Sequence, residues 1–266
     1  PVAEPPVPVS IYRHDGTTWA KQASGVHGQC VAAGGGHLWR ADKNIIYGTP
    51  NPDGATWTDT GVDVLKRTFP AYVRSMATFG RYLVVGTDIG LYLADESGGF
   101  QATEHREEAS VANCTFMAVQ HGGVYYNVGA RLFFFNGSRG LEVTPPVALD
   151  TFPPTRYVFA GGMCAGTDLL YAVCRNNAYW TGGYTLMTYD GSAWHPIIPL
   201  DADTYRLGFW PGKGVIIGRL LGHPYILSRN ADDSYPYPSY DTVNPTLVDW
   251  PRMHFGMQEI PKHLYS

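Results

Sequence analysis

The turn sequence Asp-Gly-x-x-Trp occurs three times in this chain of 266 residues, and this repetition constrains the fold more than any other feature. The three copies are Asp15-Gly16-Thr17-Thr18-Trp19, Asp53-Gly54-Ala55-Thr56-Trp57 and Asp190-Gly191-Ser192-Ala193-Trp194. Three weaker copies begin at Glu96, Asn136 and Asn230. Asp-Gly and Asn-Gly favour hairpin turns of two residues, in which both central residues need positive φ. Each turn therefore predicts a pair of antiparallel strands.

The spacing of the turns predicts how the strands are grouped. The six turns begin at residues 15, 53, 96, 136, 190 and 230. A repeat of about 40 residues is the length of one four-stranded blade of a β-propeller. A charged fraction of only 16%, with 18 Tyr and 31 Gly, is typical of short strands joined by tight turns. We therefore predict an all-β fold, a β-propeller of six blades with four antiparallel strands each, with five blades as the alternative.

Two further strands precede the outer hairpin in five of the repeats. The second of these strands is rich in Val, Ile, Leu and Tyr, as in Tyr82 to Gly86 and Val215 to Gly218, and the first is made of smaller residues. Small residues suit the crowded axis of a propeller. The position just before this small-residue strand carries Gln29, Arg74, Thr115, Gly161 and Arg206 in successive repeats.

The two ends of the chain differ from the repeat. The first turn has only its two outer strands, so its inner strands must come from elsewhere. We predict a Pro-rich extended arm at residues 1–8, the propeller at 9–243, and a segment at 244–266 that closes the ring or leads to a further domain. The insertion from Arg175 to Tyr184 is expected to project as a loop.

Charge, hydropathy and residue spacing argue against several classes of function. A net charge of −4 provides no basic face for nucleic acid. The sequence contains no run of about 20 apolar residues, so insertion into a membrane is not expected. The nine His residues lack metal-ligand spacing, so neither a metal nor another cofactor is expected. The four Cys residues are predicted to be buried thiols, and a bridge between Cys164 and Cys174 remains open.

The Asp-Gly-x-x-Trp turns resemble the Asp-box of sialidases and related propellers, although the spacing of the preceding Ser or Thr differs. In that family the motif is structural and lies away from the active site, so the resemblance implies a fold. A sialidase-like site would also need arginines for the sugar carboxylate. Arg74 and Arg206 are candidates because opposite blades would bring them to the channel mouth as an anion site. The alternative is that each arginine pairs with a local carboxylate or carbonyl.

Aromatic residues in or beside predicted loops form a second set of candidates. Stacked aromatics with neighbouring Asn and Asp are common in sugar-binding surfaces, although the same rings can pack between blades. The candidates are Tyr72, Trp180, Tyr184, Trp210, Tyr235, Tyr237 and Tyr240.

The whole pattern of blades, followed by Leu247 to Gly256 and Ile260-Pro261-Lys262, resembles the β-propeller modules of bacteriophage tail and other virion proteins. This resemblance implies a non-enzymatic structural or adhesion module, located in the virion after assembly in the host cytoplasm, or extracellular. Its expected partners are other virion or assembly proteins, with a surface glycan as a further ligand. The alternative function is a sialidase-like glycan-active enzyme that uses the two arginines.

Overall fold

The regular structure of the described residues consists of β-strands. The structure, a computed structural model, describes residues 9–10, 12–14, 19–21, 27–34, 37–50, 65–94, 100–106, 109–145, 157–176, 183–200, 204–211, 214–219, 225–227 and 257–259. All elements within these ranges are strands, which confirms the all-β prediction. The chain divides into two compact units, Pro1–Val143 and Thr144–Ser266.

The N-terminal part of the first unit contains four short strands. They are β1 (Val9–Ser10), β2 (Tyr12–His14), β3 (Trp19–Lys21) and β4 (His27–Gly28). Strand β2 pairs with β3 so that His14 opposes Trp19, and β1 pairs with β4. The hairpin predicted from the first Asp-Gly turn is therefore confirmed, although Asp15 and Gly16 lie outside the described residues.

Three four-stranded antiparallel sheets follow in the first unit, and each is formed by consecutive strands. The first contains β5 (Cys30–Gly34), β6 (His37–Asp42), β7 (Ile45–Thr49) and β8 (Leu65–Thr68). The second contains β9 (Val73–Phe79), β10 (Tyr82–Thr87), β11 (Gly90–Ala94) and β12 (Phe100–Arg106). The third contains β13 (Met117–Gln120), β14 (Gly123–Val128), β15 (Arg131–Phe135) and β16 (Gly140–Glu142).

The second unit contains two more sheets of the same kind. One contains β17 (Tyr157–Ala165), β18 (Leu170–Asn176), β19 (Tyr184–Tyr189) and β20 (Trp194–Leu200). The other contains β21 (Thr204–Trp210), β22 (Gly214–Arg219), β23 (Tyr225–Leu227) and β24 (Met257–Glu259). Within the described ranges there are thus five four-stranded sheets, and the number of blades stays a prediction.

The apolar residues explain why the sheets lie against one another. In the second sheet Val85 packs in a cluster with Trp39 and Phe69, whereas the adjacent Val84 packs with Val124 and Tyr126 of the third sheet. Successive side chains of a strand point to opposite faces, so both faces of this sheet are buried. The first strands of neighbouring sheets contact each other, namely β5 with β9, β9 with β13, and β17 with β21.

The last sheet is completed by the C-terminal segment. Tyr225 pairs with Glu259 and Leu227 pairs with Met257. The fourth strand therefore comes from 257–259 and not from the residues directly after the turn at Asn230, as the repeat predicted. Ring closure through residues 244–266 and the other domain limits stay predictions, because none of the described pairings joins this segment to β2 or β3.

The strand pairing of the fourth sheet gives the positions of Cys164 and Cys174. Cys164 pairs with Tyr171, whereas Cys174 pairs with Phe159 on one side and Thr185 on the other. The two thiols are free, as are those of Cys30 and Cys114. The Cys164 to Cys174 bridge that the sequence left open is therefore not formed. Burial raises the pKa of the Cys114 thiol to about 12, so this thiol stays protonated at neutral pH.

Gly48 gives a direct test of the packing between β6 and β7. A Cβ atom at this position would lie 2.5 Å from Cζ3 of the buried Trp39 side chain. We expect Gly48→Ala to lower the free energy of unfolding by about 1–3 kcal/mol in urea denaturation. Gly208→Ala is the control, because its Cβ would lie 3.8 Å from Cβ of Ile216, an ordinary contact. Equal effects of the two changes would contradict this account of the core.

Candidate functional site

Arg74 lies at a β-bulge near the start of β9. Ser75 opposes Gly86 and Val73 opposes Thr87, so Arg74 is the extra residue of the bulge. A bulge redirects the side chain of the extra residue. Nη2 of Arg74 lies 3.4 Å from Oδ2 of Asp88, and the two side chains are 9% and 3% exposed. The predicted anion-binding arginine is therefore nearly buried, and an internal carboxylate compensates its charge.

Asp88 is held in place by its backbone. Its N–H donates to the carbonyl of Tyr72 at 3.1 Å, and its carbonyl accepts from the N–H of Ser110 at 3.0 Å and from Nδ2 of Asn113 at 2.9 Å. The ring of Tyr72 lies 5.9 Å from the guanidinium carbon of Arg74. This cluster connects the turn between β10 and β11 to the chain that enters the third sheet.

A second set of buried hydrogen bonds continues this connection. Oδ1 of Asn127 accepts from the N–H of Phe116 at 2.9 Å, and its Nδ2 donates to the carbonyl of Ala112 at 2.6 Å. The hydroxyl of Ser75 donates to the carbonyl of Cys114. The polar groups of Ser75 and Asn127 are thus satisfied by backbone atoms, as expected for a structural network. Sequence reasoning missed Asp88 and Asn127, because neither belongs to a recognisable spacing.

Gln29 shows what the position before a small-residue strand does in the first sheet. Its Nε2 donates to the carbonyls of Lys43 at 2.8 Å and Val73 at 3.0 Å, and its Oε1 accepts from the N–H of Lys43 at 2.9 Å. Val73 belongs to the next sheet, so Gln29 links two sheets. The sequence alignment placed Gln29 and Arg74 together, and both side chains connect neighbouring parts of the framework.

The register corrects the predicted equivalence of the two arginines. Both lie within first strands and not before them. In the last sheet Arg206 opposes Gly218, whereas the residue opposite the corresponding Gly86 is Ser75. The bulges of β9 and β21 lie at corresponding places in the two sheets, so they do not cause this shift. The shift comes from the connection between the first two strands, which has two residues (80–81) after β9 and three residues (211–213) after β21. Arg206 is exposed in the second unit, and its convergence with Arg74 stays a prediction.

The aromatic candidates have different environments. Tyr184 is the first residue of β19, where it pairs with Arg175 and Leu200 and is half-buried, so the predicted loop is shorter than expected. Trp210 ends β21 and is 42% exposed. Trp180, Tyr235, Tyr237 and Tyr240 lie outside the described residues. Trp210 is therefore the candidate whose ring the structure shows to be accessible.

The turn at Asp190 has a geometry different from that predicted. Tyr189 opposes Trp194, which leaves a loop of four residues instead of two. Gly191 has φ of +97°, whereas Asp190 is not among the residues with positive φ. Oδ1 of Asp190 accepts from the N–H and hydroxyl of Ser192, both at 2.7 Å, and from the N–H of Ala193 at 2.8 Å. The role of Asp190 in this turn is therefore to accept hydrogen bonds with its side chain and not to adopt a positive φ.

Trp194 packs within its own hairpin. Its ring centroid lies 4.9 Å from that of Tyr189, the residue opposite it in the hairpin, and its side chain is half-buried. Such an aromatic pair stabilises the two strands beside the turn. In the first copy Trp19 begins β3. Asp53, Gly54 and Trp57 of the second copy lie outside the described residues.

These contacts lower the pKa of the Asp190 carboxyl well below its usual range. The causes, in decreasing order, are the N–H of Ala193, the hydroxyl and N–H of Ser192, and His195. Nε2 of His195 lies 3.2 Å from Oδ2 of Asp190. Hydrogen bonds to the charged form favour ionisation, so the turn is built around a carboxylate.

The described part of the chain contains neither a metal-binding cluster nor a membrane-spanning helix. There, no group of three or more His, Cys, Asp or Glu side chains is arranged to hold a metal ion. Among the same residues, no helix has the length and apolar character needed to cross a bilayer. That neither a metal nor another cofactor is required stays a prediction.

Comparisons with known proteins agree with the fold class. The structure is similar to the extracellular domain of BT4673 from B. thetaiotaomicron, with a TM-score of 0.53 and 13% identity over 82% of this chain. This chain spans 29% of that structure's length. BamB from Moraxella catarrhalis has a TM-score of 0.49, with 15% identity, over 89% of this chain and 70% of BamB. The WD40 beta propeller domain of Doa1 has a TM-score of 0.41, with 10% identity, over 80% of this chain and 83% of that domain.

The succession of four-stranded antiparallel sheets defines an all-β chain of the β-propeller class. At these levels of identity the similarities concern the fold alone. No protein-family model matches the sequence, and no curated protein matches it.

The ion pair between Arg74 and Asp88 is tested by removing one partner. We expect Arg74→Met to lower the free energy of unfolding by about 3 kcal/mol, because it leaves the buried Asp88 carboxylate uncompensated. The double variant with Asp88→Asn is expected to recover part of this loss in chemical denaturation. If Arg74→Met stays within about 0.5 kcal/mol of the unmodified chain, the pair is not a structural element.

The lowered pKa of Asp190 predicts a pH dependence of stability. A carboxyl whose pKa is lower in the folded state stabilises the fold above the unfolded pKa of about 3.9, and this stabilisation is lost as the pH falls towards the folded pKa. We therefore expect Asp190→Asn to be less stable than the unmodified chain at neutral pH, with a smaller difference at pH values below about 3.9. Thermal unfolding at both pH values measures this, and an unchanged difference would contradict it.

Proposed function

We propose that this β-propeller chain is a non-enzymatic structural or adhesion module of a phage-tail-type virion, which contacts other virion or assembly proteins. A propeller presents a rigid framework whose strand ends and loops remain available for binding. We further propose that the protein is located in the assembled particle or outside the cell. A surface glycan is the second ligand that the same surface would accept.

The observation that carries the proposal is the exposure of Trp210. Its side chain is 42% exposed at the end of β21, directly before Pro211. The preceding residue, Phe209, is anchored by a stacked contact with Tyr171, with ring centroids 6.2 Å apart. A large aromatic side chain on a rigid strand end provides binding area at little entropic cost. Tryptophan is also common where proteins bind sugars, because its ring stacks on the sugar face.

The burial of Arg74 supports a binding role over a catalytic one. A sugar carboxylate would have to replace Asp88 and enter a site where the guanidinium is 9% exposed. That exchange would leave the Asp88 carboxylate buried without its partner, which costs several kcal/mol. The sialidase-like alternative therefore depends on residues other than this arginine.

Binding and catalysis are tested with the same purified chain. We expect no turnover of fluorogenic aryl sialosides, and binding either to a protein of the intact particle, detected by cross-linking and mass spectrometry, or to a glycan array. Trp210→Ala is expected to weaken that binding by about tenfold or more, because exposed aromatics dominate such contacts.

Leu141→Ala is the matched control, because it truncates another exposed apolar side chain, located on β16 in the first unit. Sialoside hydrolysis would contradict the non-enzymatic assignment. Absence of the chain from purified particles, together with no glycan binding, would contradict the virion role. Equal loss of binding in the two variants would remove Trp210 as the contact residue.

A further inference from the structure

The loop between β15 and β16 places a side-chain amide next to the backbone nitrogen of a glycine. Asn136, Gly137, Ser138 and Arg139 form this loop, and all four are exposed. Oδ1 of Asn136 accepts from the N–H of Ser138 at 3.0 Å, from its hydroxyl at 2.8 Å and from the N–H of Arg139 at 3.2 Å. The backbone N–H groups of Ser138 and Arg139 thus donate to Asn136, whereas that of Gly137 does not take part in these three bonds.

The loop repeats the geometry of the Asp190 turn. Gly137 has φ of +99° and Gly191 has φ of +97°. In each loop one side-chain oxygen accepts from the next residue but one, through its N–H and its hydroxyl, and from the N–H that follows. One turn is thus built around an amide and the other around a carboxylate, with the same donors.

We propose that Asn136 is a site of spontaneous deamidation, which converts this turn into the aspartate form found in the sharp copies of the repeat. The nitrogen of Gly137 attacks Cγ of Asn136 and forms a new C–N bond. The bond from Cγ to Nδ2 then breaks, and ammonia leaves with the proton released from the Gly137 nitrogen. Water opens the resulting cyclic imide at Cγ, which restores the Gly137 amide and leaves an aspartate. The net reaction consumes one water molecule and releases one ammonia.

The hydrogen-bond donors of the loop favour the step in which the Gly137 nitrogen attacks Cγ of Asn136. As the nitrogen attacks, negative charge develops on Oδ1 of Asn136. Three donors already surround that oxygen, and groups that are arranged in advance stabilise developing charge. Gly137 has no side chain to shield its nitrogen, and a Cβ there would meet Cε1 of Phe79 at 3.5 Å.

The aspartate product fits the loop without rearrangement. In the equivalent turn the carboxylate of Asp190 makes the same three contacts, and they lower the pKa of that carboxyl. Opening of the imide at Cγ is favoured for the same reason, because this carbonyl is the one that the donors polarise. Conversion would add one negative charge to the exposed edge of the third sheet. The reaction is independent of the function proposed above.

Incubation of the folded 266-residue chain in mildly alkaline buffer, followed by digestion and mass spectrometry, tests the proposal. We expect Asn136 to convert at least as fast as in a synthetic peptide of residues 131–142, and to yield a larger share of aspartate over isoaspartate. Asn44 is the internal control, because its Nδ2 donates to the carbonyl of Phe69 at 3.0 Å and the β-branched Ile45 follows it. Asn44 should remain an amide.

Ser138→Ala removes one of the three donors and is expected to slow the conversion about fivefold. Asn136→Asp should unfold at a temperature at least as high as the unmodified chain. Conversion more than about tenfold slower than in the peptide would overturn the proposal. It would also be overturned if Ser138→Ala left the rate unchanged, or if Asn136→Asp lowered the unfolding temperature.

Discussion

The need to cover both faces of each inner sheet determines most of this structure. Val84 and Val85 are neighbours in one strand, yet each is fully buried in a different apolar cluster. A sheet of this kind is stable when another sheet lies on each side, and burial of the apolar residues provides the driving force. The repeat in the sequence therefore reflects the need to bury both faces of a sheet.

The same requirement creates a difficulty where the chain passes from one sheet to the next, because backbone groups there are buried outside the ladders. The structure resolves it with side chains that bond to backbone atoms, such as Gln29 and Asn127. In the same region the side chains of Arg74 and Asp88 pair with each other. An unmade hydrogen bond in such a place costs more than a made one contributes, which explains why these positions carry polar residues.

The sequence predicted the strands and their order well, because hairpin turns and apolar periodicity are local signals. The pairing of Tyr82 to Gly86 with the strand before it and the strand after it agrees with the prediction. The role of Arg74 was less predictable, because a bulge changes the direction of a side chain without leaving a trace in the alignment. The four-residue form of the Asp190 turn was also missed. Asp-Gly is compatible with several loop lengths, and the contacts of the carboxylate decide between them.

The pairing of Tyr225–Leu227 with Met257–Glu259 has a consequence for the order of folding. Residues 228 to 256 separate the two strands, whereas the other sheets use consecutive strands joined by shorter connections. Pairing across a longer separation requires more of the chain to be ordered before contacts compensate for the lost entropy. The outer edge of Tyr225–Leu227 thus stays open while the chain is being synthesised, until residue 259 has emerged. During that interval this edge is available to other strands, so the sheet that is completed last is also the one most exposed to incorrect pairing.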